Sequence, residues 1–166
     1  MYCDAHDRPL LRWRSERENA NSDHEQIMPL TYSIELNESL ILAIAGGTVT
    51  NQDLSGYVSS LAKDARVKPG MKELIDLRGA VEAEVTSNGL LSLATFSLSQ
   101  KERFRGIKCA VVADRDLAFG LARMYEAYSE GEGIPVDRKV FREFDDACKW
   151  LGIDPTDIRQ CLRHSV

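Results

Sequence analysis

Residues 40–78 read LILAIAGGTVTNQDLSGYVSSLAKDARVKPGMKELIDLR, and this stretch decides the fold class. It opens on Leu40, Ile41, Leu42, Ala43 and Ile44, a continuous apolar run. A strand of that composition is buried on both faces, and Gly46-Gly47 ends it. Thr50 and Asp53 then stand at capping-box spacing. Leu54, Tyr57, Val58, Leu61, Ala62 and Ala65 follow the i, i+3, i+4, i+7 rhythm of an amphipathic helix. Pro69-Gly70 turns the chain into a second apolar strand, 72-KELIDLR-78. Strand, helix and strand in succession imply a right-handed crossover and parallel pairing.

Upstream, Tyr32, Ile34 and Leu36 alternate with polar residues, and Asn37-Glu38-Ser39 reads as the turn of a hairpin. Downstream, a polar connection over 79–89 leads to a helix carrying Leu90, Leu91, Leu93, Ala94 and Leu98. The β-branched strand 107-IKCAVVA-113 follows, with Asp114 at the cap of a third helix. That helix shows Leu117, Leu121, Met124, Tyr125 and Tyr128 on one face, and with Arg123 its aromatics read as core or rim. Gly131 and Gly133 break it before the strand 136-VDRKVF-141. A helix over 143–151 gathers Phe144, Ala147, Cys148 and Leu151, with Trp150 as packing. Asp154-Pro155 fits a cap followed by proline at the first helical position, placing a small appended helix over 155–163. The expected fold is α/β: a five-stranded mixed, mostly parallel sheet, an N-terminal hairpin followed by β-α repeats, flanked by four helices. The expected division is a leader over 1–27, one domain over 28–152 and a helical tail over 153–166.

Residues 1–27 are foreign to this pattern. From Arg14 to Gln26 the only apolar residue is Ala20, so the segment buries too little surface to offset its ordering entropy. It reads as a disordered leader, or else Met28 is the natural start. The segment 8-RPLLRWR-14 has the look of an interfacial anchor, but the plainer reading is preferred.

Composition narrows function further. The chain has 166 residues, 43% of them hydrophobic and 28% charged, the balance of an ordinary globular protein. A formal charge of −5 argues against a general nucleic-acid binder, which needs a basic face for phosphates. No apolar run reaches the ~18 residues of a membrane helix, so no membrane insertion is expected. The four cysteines, Cys3, Cys109, Cys148 and Cys161, form no CxxC pair, and neither a metal site nor a cofactor is expected. Cys109 and Cys148 read as buried thiols in a reducing compartment, which places the protein in the cytoplasm. His6, His24 and His164 all lie near the chain ends, which excludes a core catalytic histidine. The glycine patterns of nucleotide loops and the motifs of nucleophilic or zinc hydrolases are missing. The chain therefore reads as a non-enzyme.

The stretch 73-ELIDLRGAVEAEVTSNGLLSLA-94 resembles the signature of the STAS domain, the fold of the bacterial anti-anti-sigma factor SpoIIAA. Leu74, Ile75, Asp76 and Leu77 match its strand end, and Thr86, Ser87, Asn88, Gly89 and Leu90 match its loop and helix start. The stretch 110-AVVADRDLAFGLARMYEAYSEGEGIPVDRKVFREFDDACKWLG-152 is similar to uncharacterised bacterial STAS/SEC14-like proteins. The resemblance covers roughly 30–152. It implies a regulatory domain that binds another protein, or itself, through the surface around 84–95. Its SEC14-like side implies instead a small-molecule or lipid ligand, and a degenerate phosphoswitch is a further alternative. The switch departs from the pattern: Asn88 stands where the family carries its phosphorylated serine, and Thr86 where it carries an aspartate.

Two groups of residues are the candidate sites. Thr86, Ser87, Asn88 and Gly89 precede a helix, where the first three can cap free N–H groups. A phosphate or external anion there would meet the positive end of the helix dipole. Asp76 and Arg78 close one strand, while Asp114, Arg115 and Asp116 follow its neighbour at the edge where α/β sheets place ligands. They either line a shallow polar site or cap helices and pair with one another.

Overall fold

The computed structural model describes residues 29–164 except positions 36 and 38. The expectations for residues 1–27, for Met28 as a start, for Cys3, His6 and His24, and for Leu36 and Glu38 lie outside the described residues.

Strands β1 (Leu30–Glu35) and β2 (Leu40–Ala45) form the hairpin, paired antiparallel with Glu35 opposite Leu40. Asn37 turns it at φ 55, a left-handed conformation that asparagine tolerates. Helix α1 (Asn51–Lys63) starts at the capping box seen in the sequence. The Asp53 N–H donates to Thr50 Oγ1 at 3.3 Å, and the Thr50 N–H donates to Asp53 Oδ2 at 2.8 Å. The helix stops at Lys63, so Ala65 lies beyond it and is exposed. Strands β4 (Lys72–Asp76), β6 (Ile107–Val112) and β7 (Val136–Phe141) then add in parallel, with order β1-β2-β4-β6-β7. The sheet is therefore mixed, with one antiparallel pair and the rest parallel.

The segment 79–89 is not the plain connection the sequence suggested. Ala80–Glu84 form strand β5, which pairs in parallel with β3 (Gly47–Thr50) in a separate two-stranded sheet. Gly47, read as the end of a strand, begins β3 instead. Gly79 permits this arrangement, because a Cβ there would stand 2.4 Å from the Ala45 carbonyl oxygen.

Helices α2 (Ser87–Ser99), α4 (Asp116–Gly131), α5 (Phe144–Leu151) and α6 (Pro155–His164) complete the layers. The four-residue α3 (Lys101–Phe104) was not anticipated and carries the buried Phe104. The sheet separates two cores. On one face Ile41, Ala43, Cys109 and Val111 meet Tyr57 and Leu61 of α1. On the other, Leu40, Leu42, Leu74, Ala110 and Val112 meet Phe144, Ala147, Cys148 and Leu151 of α5 and Ile158 of α6. Both faces of β2 are thus covered, as its continuous apolarity required. The Thr156 N–H donates to Asp154 Oδ1 at 2.7 Å, so Asp154 caps α6 as expected.

Helix α4 is rotated from the face assigned by periodicity. Leu117 is 61% exposed and Met124 37%, while Ala118, Leu121, Ala122 and Tyr125 turn inward. Glu126 is buried on this helix, ion-paired with Arg123. Arg115, not Asp114, is the N-cap residue of α4, and no side chain caps that end.

Candidate functional site

Helix α2 packs chiefly against α4 and α1. Its buried residues Leu90, Leu93 and Ala94 stand outside both hydrophobic clusters. Leu90 and Leu93 line a cavity of about 120 Å³ between the sheet and the helices. Ile75, Ile107, Val111 and Val136 form its floor, with Leu54 and Val58 on α1, Leu93 on α2 and Leu121 on α4 among the walls. Protein interiors seldom leave voids larger than a water molecule, and this one is predominantly apolar.

Its polar lining is confined to Tyr57, Glu73, Ser97, Tyr125 and Arg138. Register creates this grouping. Glu73 of β4 stands opposite Cys109 of β6, and Cys109 opposite Arg138 of β7, so one row crosses three parallel strands. Glu73 is only 5% exposed. The Tyr57 hydroxyl reaches down from α1 and donates to Glu73 Oε1 at 2.5 Å. Burial, and next the negative charge of Glu73, push the Tyr57 phenol well above its usual value. The same two causes raise the Cys109 thiol, which therefore stays protonated. Burial alone would lower the Arg138 guanidinium, but the negative charge of nearby Glu73 works against it, and the group stands above its usual value.

Arg138 is held in place from α4. Its Nη1 donates to Ser129 Oγ at 2.9 Å, and its guanidinium carbon lies 4.6 Å from the centre of the Tyr125 ring. The Tyr125 hydroxyl in turn shares a hydrogen bond with Ser97 Oγ of α2 at 2.9 Å. The ion pairs of the described residues include none between Glu73 and Arg138. A carboxylate and a guanidinium thus face one apolar chamber without closing on each other.

The sequence-based candidates lie elsewhere. Thr86 is the N-cap of α2, its Oγ1 accepting from the Gly89 N–H at 3.0 Å. Asn51, at the start of α1, clasps the same residue. Its Nδ2 donates to Thr86 Oγ1 and its Oδ1 accepts from the Thr86 N–H, both at 3.1 Å. Gly89 is needed there, because a Cβ would fall 2.0 Å from Asn51 Oδ1. Ser87 and Asn88 are exposed beside this clasp.

At the strand edge, Arg78 folds back on the buried Asp76. Its Nη2 donates to Oδ2 at 2.7 Å, and its Nε and N–H both donate to Oδ1. That pairing raises the Arg78 guanidinium despite partial burial. Arg115 Nη1 donates to the Val81 carbonyl at 2.8 Å. Asp114 offers its carbonyl to Arg142, which also binds the Asp116 carboxylate. Arg78, Arg115 and Arg142 are thus all engaged with protein groups, and the edge is a network of internal contacts around Asp76 and Asp116.

No group of histidine, cysteine or acidic side chains among the described residues could hold a metal ion. No described helix is long and apolar enough to cross a membrane.

No family model matches the chain, and no curated protein matches it. Among solved structures it is similar to an uncharacterised protein of the DUF3478 family with a SpoIIAA-like fold, from Shewanella loihica PV-4. The two share 20% sequence identity over 74% of this chain and 93% of that one, with a TM-score of 0.47. That likeness extends no activity to this chain.

Proposed function

We propose that this chain is a non-catalytic binding domain that encloses a small, largely apolar molecule between its sheet and helices α1, α2 and α4. The observation that carries the reading is the cavity of about 120 Å³, apolar except for a polar row that includes a buried carboxylate and a guanidinium. Ligand sites have this composition: mostly apolar walls with a few placed polar groups that fix orientation. A void of this size otherwise costs stability. The size also bounds the ligand. A cavity of about 150 Å³ takes one benzene ring, so the space covers one ring or a ring-sized part of a larger molecule. Buried Cys109 and Cys148, both unpaired thiols, support a reducing, cytoplasmic setting.

Native mass spectrometry of the full chain, purified without denaturant from its own host, tests the reading. A small molecule that leaves on denaturation is expected, and it is absent from the Ala122→Leu variant, which fills the cavity from α4. Retention of the same molecule by Ala122→Leu would place it elsewhere and overturn the site.

A second reading, a protein-interaction domain, is supported by the outer face of α2. This helix carries no charged residue, yet Leu91 is 44% exposed and Phe96 37%. A surface helix ordinarily shows a charged or polar outer stripe. If a partner docks there, Leu91→Glu abolishes its capture while leaving the thermal midpoint of the domain unchanged. Undiminished capture counts against this face.

A further inference from the structure

We propose that the molecule held in the cavity is compact, neutral and about the size of one ring, bearing a single group that both donates and accepts a hydrogen bond, such as a phenol hydroxyl or a carboxamide. This rests on the reading of the cavity as a binding site and adds the chemistry of its occupant.

Glu73, Cys109 and Arg138 stand in one row across β4, β6 and β7. Adjacent strands are about 4.8 Å apart, so the backbones of Glu73 and Arg138 are separated by roughly twice that distance. Both side chains line the chamber, no direct ion pair joins them, and the protonated Cys109 thiol between them interacts with each while leaving acceptor and donor positions toward the cavity. An ionised carboxylate only accepts hydrogen bonds, and a guanidinium only donates them. The group that suits both at once donates toward Glu73 and accepts from Arg138.

Charge decides the class. Glu73 and Arg138 balance each other inside apolar walls. An anionic ligand would meet Arg138 but add a second negative charge beside Glu73. A cationic ligand would reverse the conflict at Arg138. Either leaves an uncompensated charge in a medium where that is costly. A neutral group leaves the balance intact.

The remaining polar groups already have partners. Tyr57 donates to Glu73, and Ser97 and Tyr125 bond each other. They hold the charged groups in place, and the charged groups address the ligand. The apolar walls, from Leu54 to Leu121, take the ring.

The test is titration calorimetry of the full chain with five probes of one shape: benzene, phenol, benzamide, benzoate and benzylammonium. Phenol and benzamide are expected to bind at least tenfold more tightly than benzene, with benzoate and benzylammonium weaker than benzene. In Glu73→Gln the penalty on benzoate is expected to shrink at least tenfold. The wild-type series decides the matter even if that variant fails to fold. Benzene binding as tightly as phenol and benzamide would overturn the polar assignment while leaving the cavity as a site. Benzoate or benzylammonium binding most tightly would overturn neutrality. Failure of all five probes would remove the cavity reading itself and this proposal with it.

Discussion

The hydroxyl of Tyr57 donates to Glu73 Oε1 at 2.5 Å, tying helix α1 to the start of strand β4 through a buried carboxylate. This contact fixes Glu73 at the edge of the cavity. It also gives the acid a donor where water is scarce. A buried acceptor that loses its donor keeps the full cost of desolvation.

Tyr57→Phe is therefore expected to destabilise the domain by about 1–3 kcal/mol in chemical denaturation. In a Glu73→Gln background the same substitution should cost measurably less, because no charge is left unpartnered. Equal costs in both backgrounds would show that the hydrogen bond does not couple the two residues.

The clasp between Asn51 and Thr86 gives a second expectation. Gly89→Ala drives its methyl into Asn51 Oδ1, a 2.0 Å approach, and should lower stability. Asn51→Ala removes the obstruction at the price of two hydrogen bonds. In the double variant the added cost of Gly89→Ala should nearly vanish, read as non-additivity in a thermodynamic cycle. Additive losses would place the origin of the Gly89 requirement elsewhere.

Asp64 sets a pH dependence. At the end of α1 it accepts from the Arg66 side chain and backbone and from the Tyr32 hydroxyl. The Arg66 contacts above all hold its carboxyl well below the usual range. A carboxyl depressed in the folded state contributes stability above its unfolded pKa of about 4 and loses it as pH falls through the folded value. Arg66 is half exposed, so the contribution is about 1 kcal/mol. Asp64→Asn should be less stable than the native chain at pH 6, with the gap closing below about pH 4. A gap that stays constant down to pH 2 would contradict this.

Periodicity carried most of the fold. The apolar run 40–44 forms a strand, and the Thr50–Asp53 box with the rhythm from Leu54 to Ala62 forms α1, only Ala65 falling beyond its end. Strand β5 was hidden because AVEAE is short and polar, with Val81, Glu82 and Glu84 exposed. Nothing local distinguishes it from a loop, and only its pairing with β3 makes it a strand. The inward face of α4 is not the one its large residues mark. Leu117 and Met124 are exposed while small Ala118 and Ala122 sit against the cavity.

The polar row was not found from the sequence either, although a signal existed. Within 136-VDRKVF-141, Arg138 shares its alternation with Val136 and Val140, both apolar. Within 72-KELIDLR-78, Glu73 shares its own with Ile75 and Leu77. A charge in step with apolar residues marks a polar side chain aimed at the core. That the two charges stand in one row depends on register across three strands, which no single segment encodes.

Methyl NMR of the full chain titrated with benzene tests whether the cavity is a binding site. Saturable shifts are expected at methyls lining the cavity, among them Leu54, Val58, Leu93, Val111 and Leu121, with those of Leu42, Leu151 and Ile158 on the other face of the sheet unmoved. No saturable shift, or shifts centred on the α5 and α6 core, would contradict it.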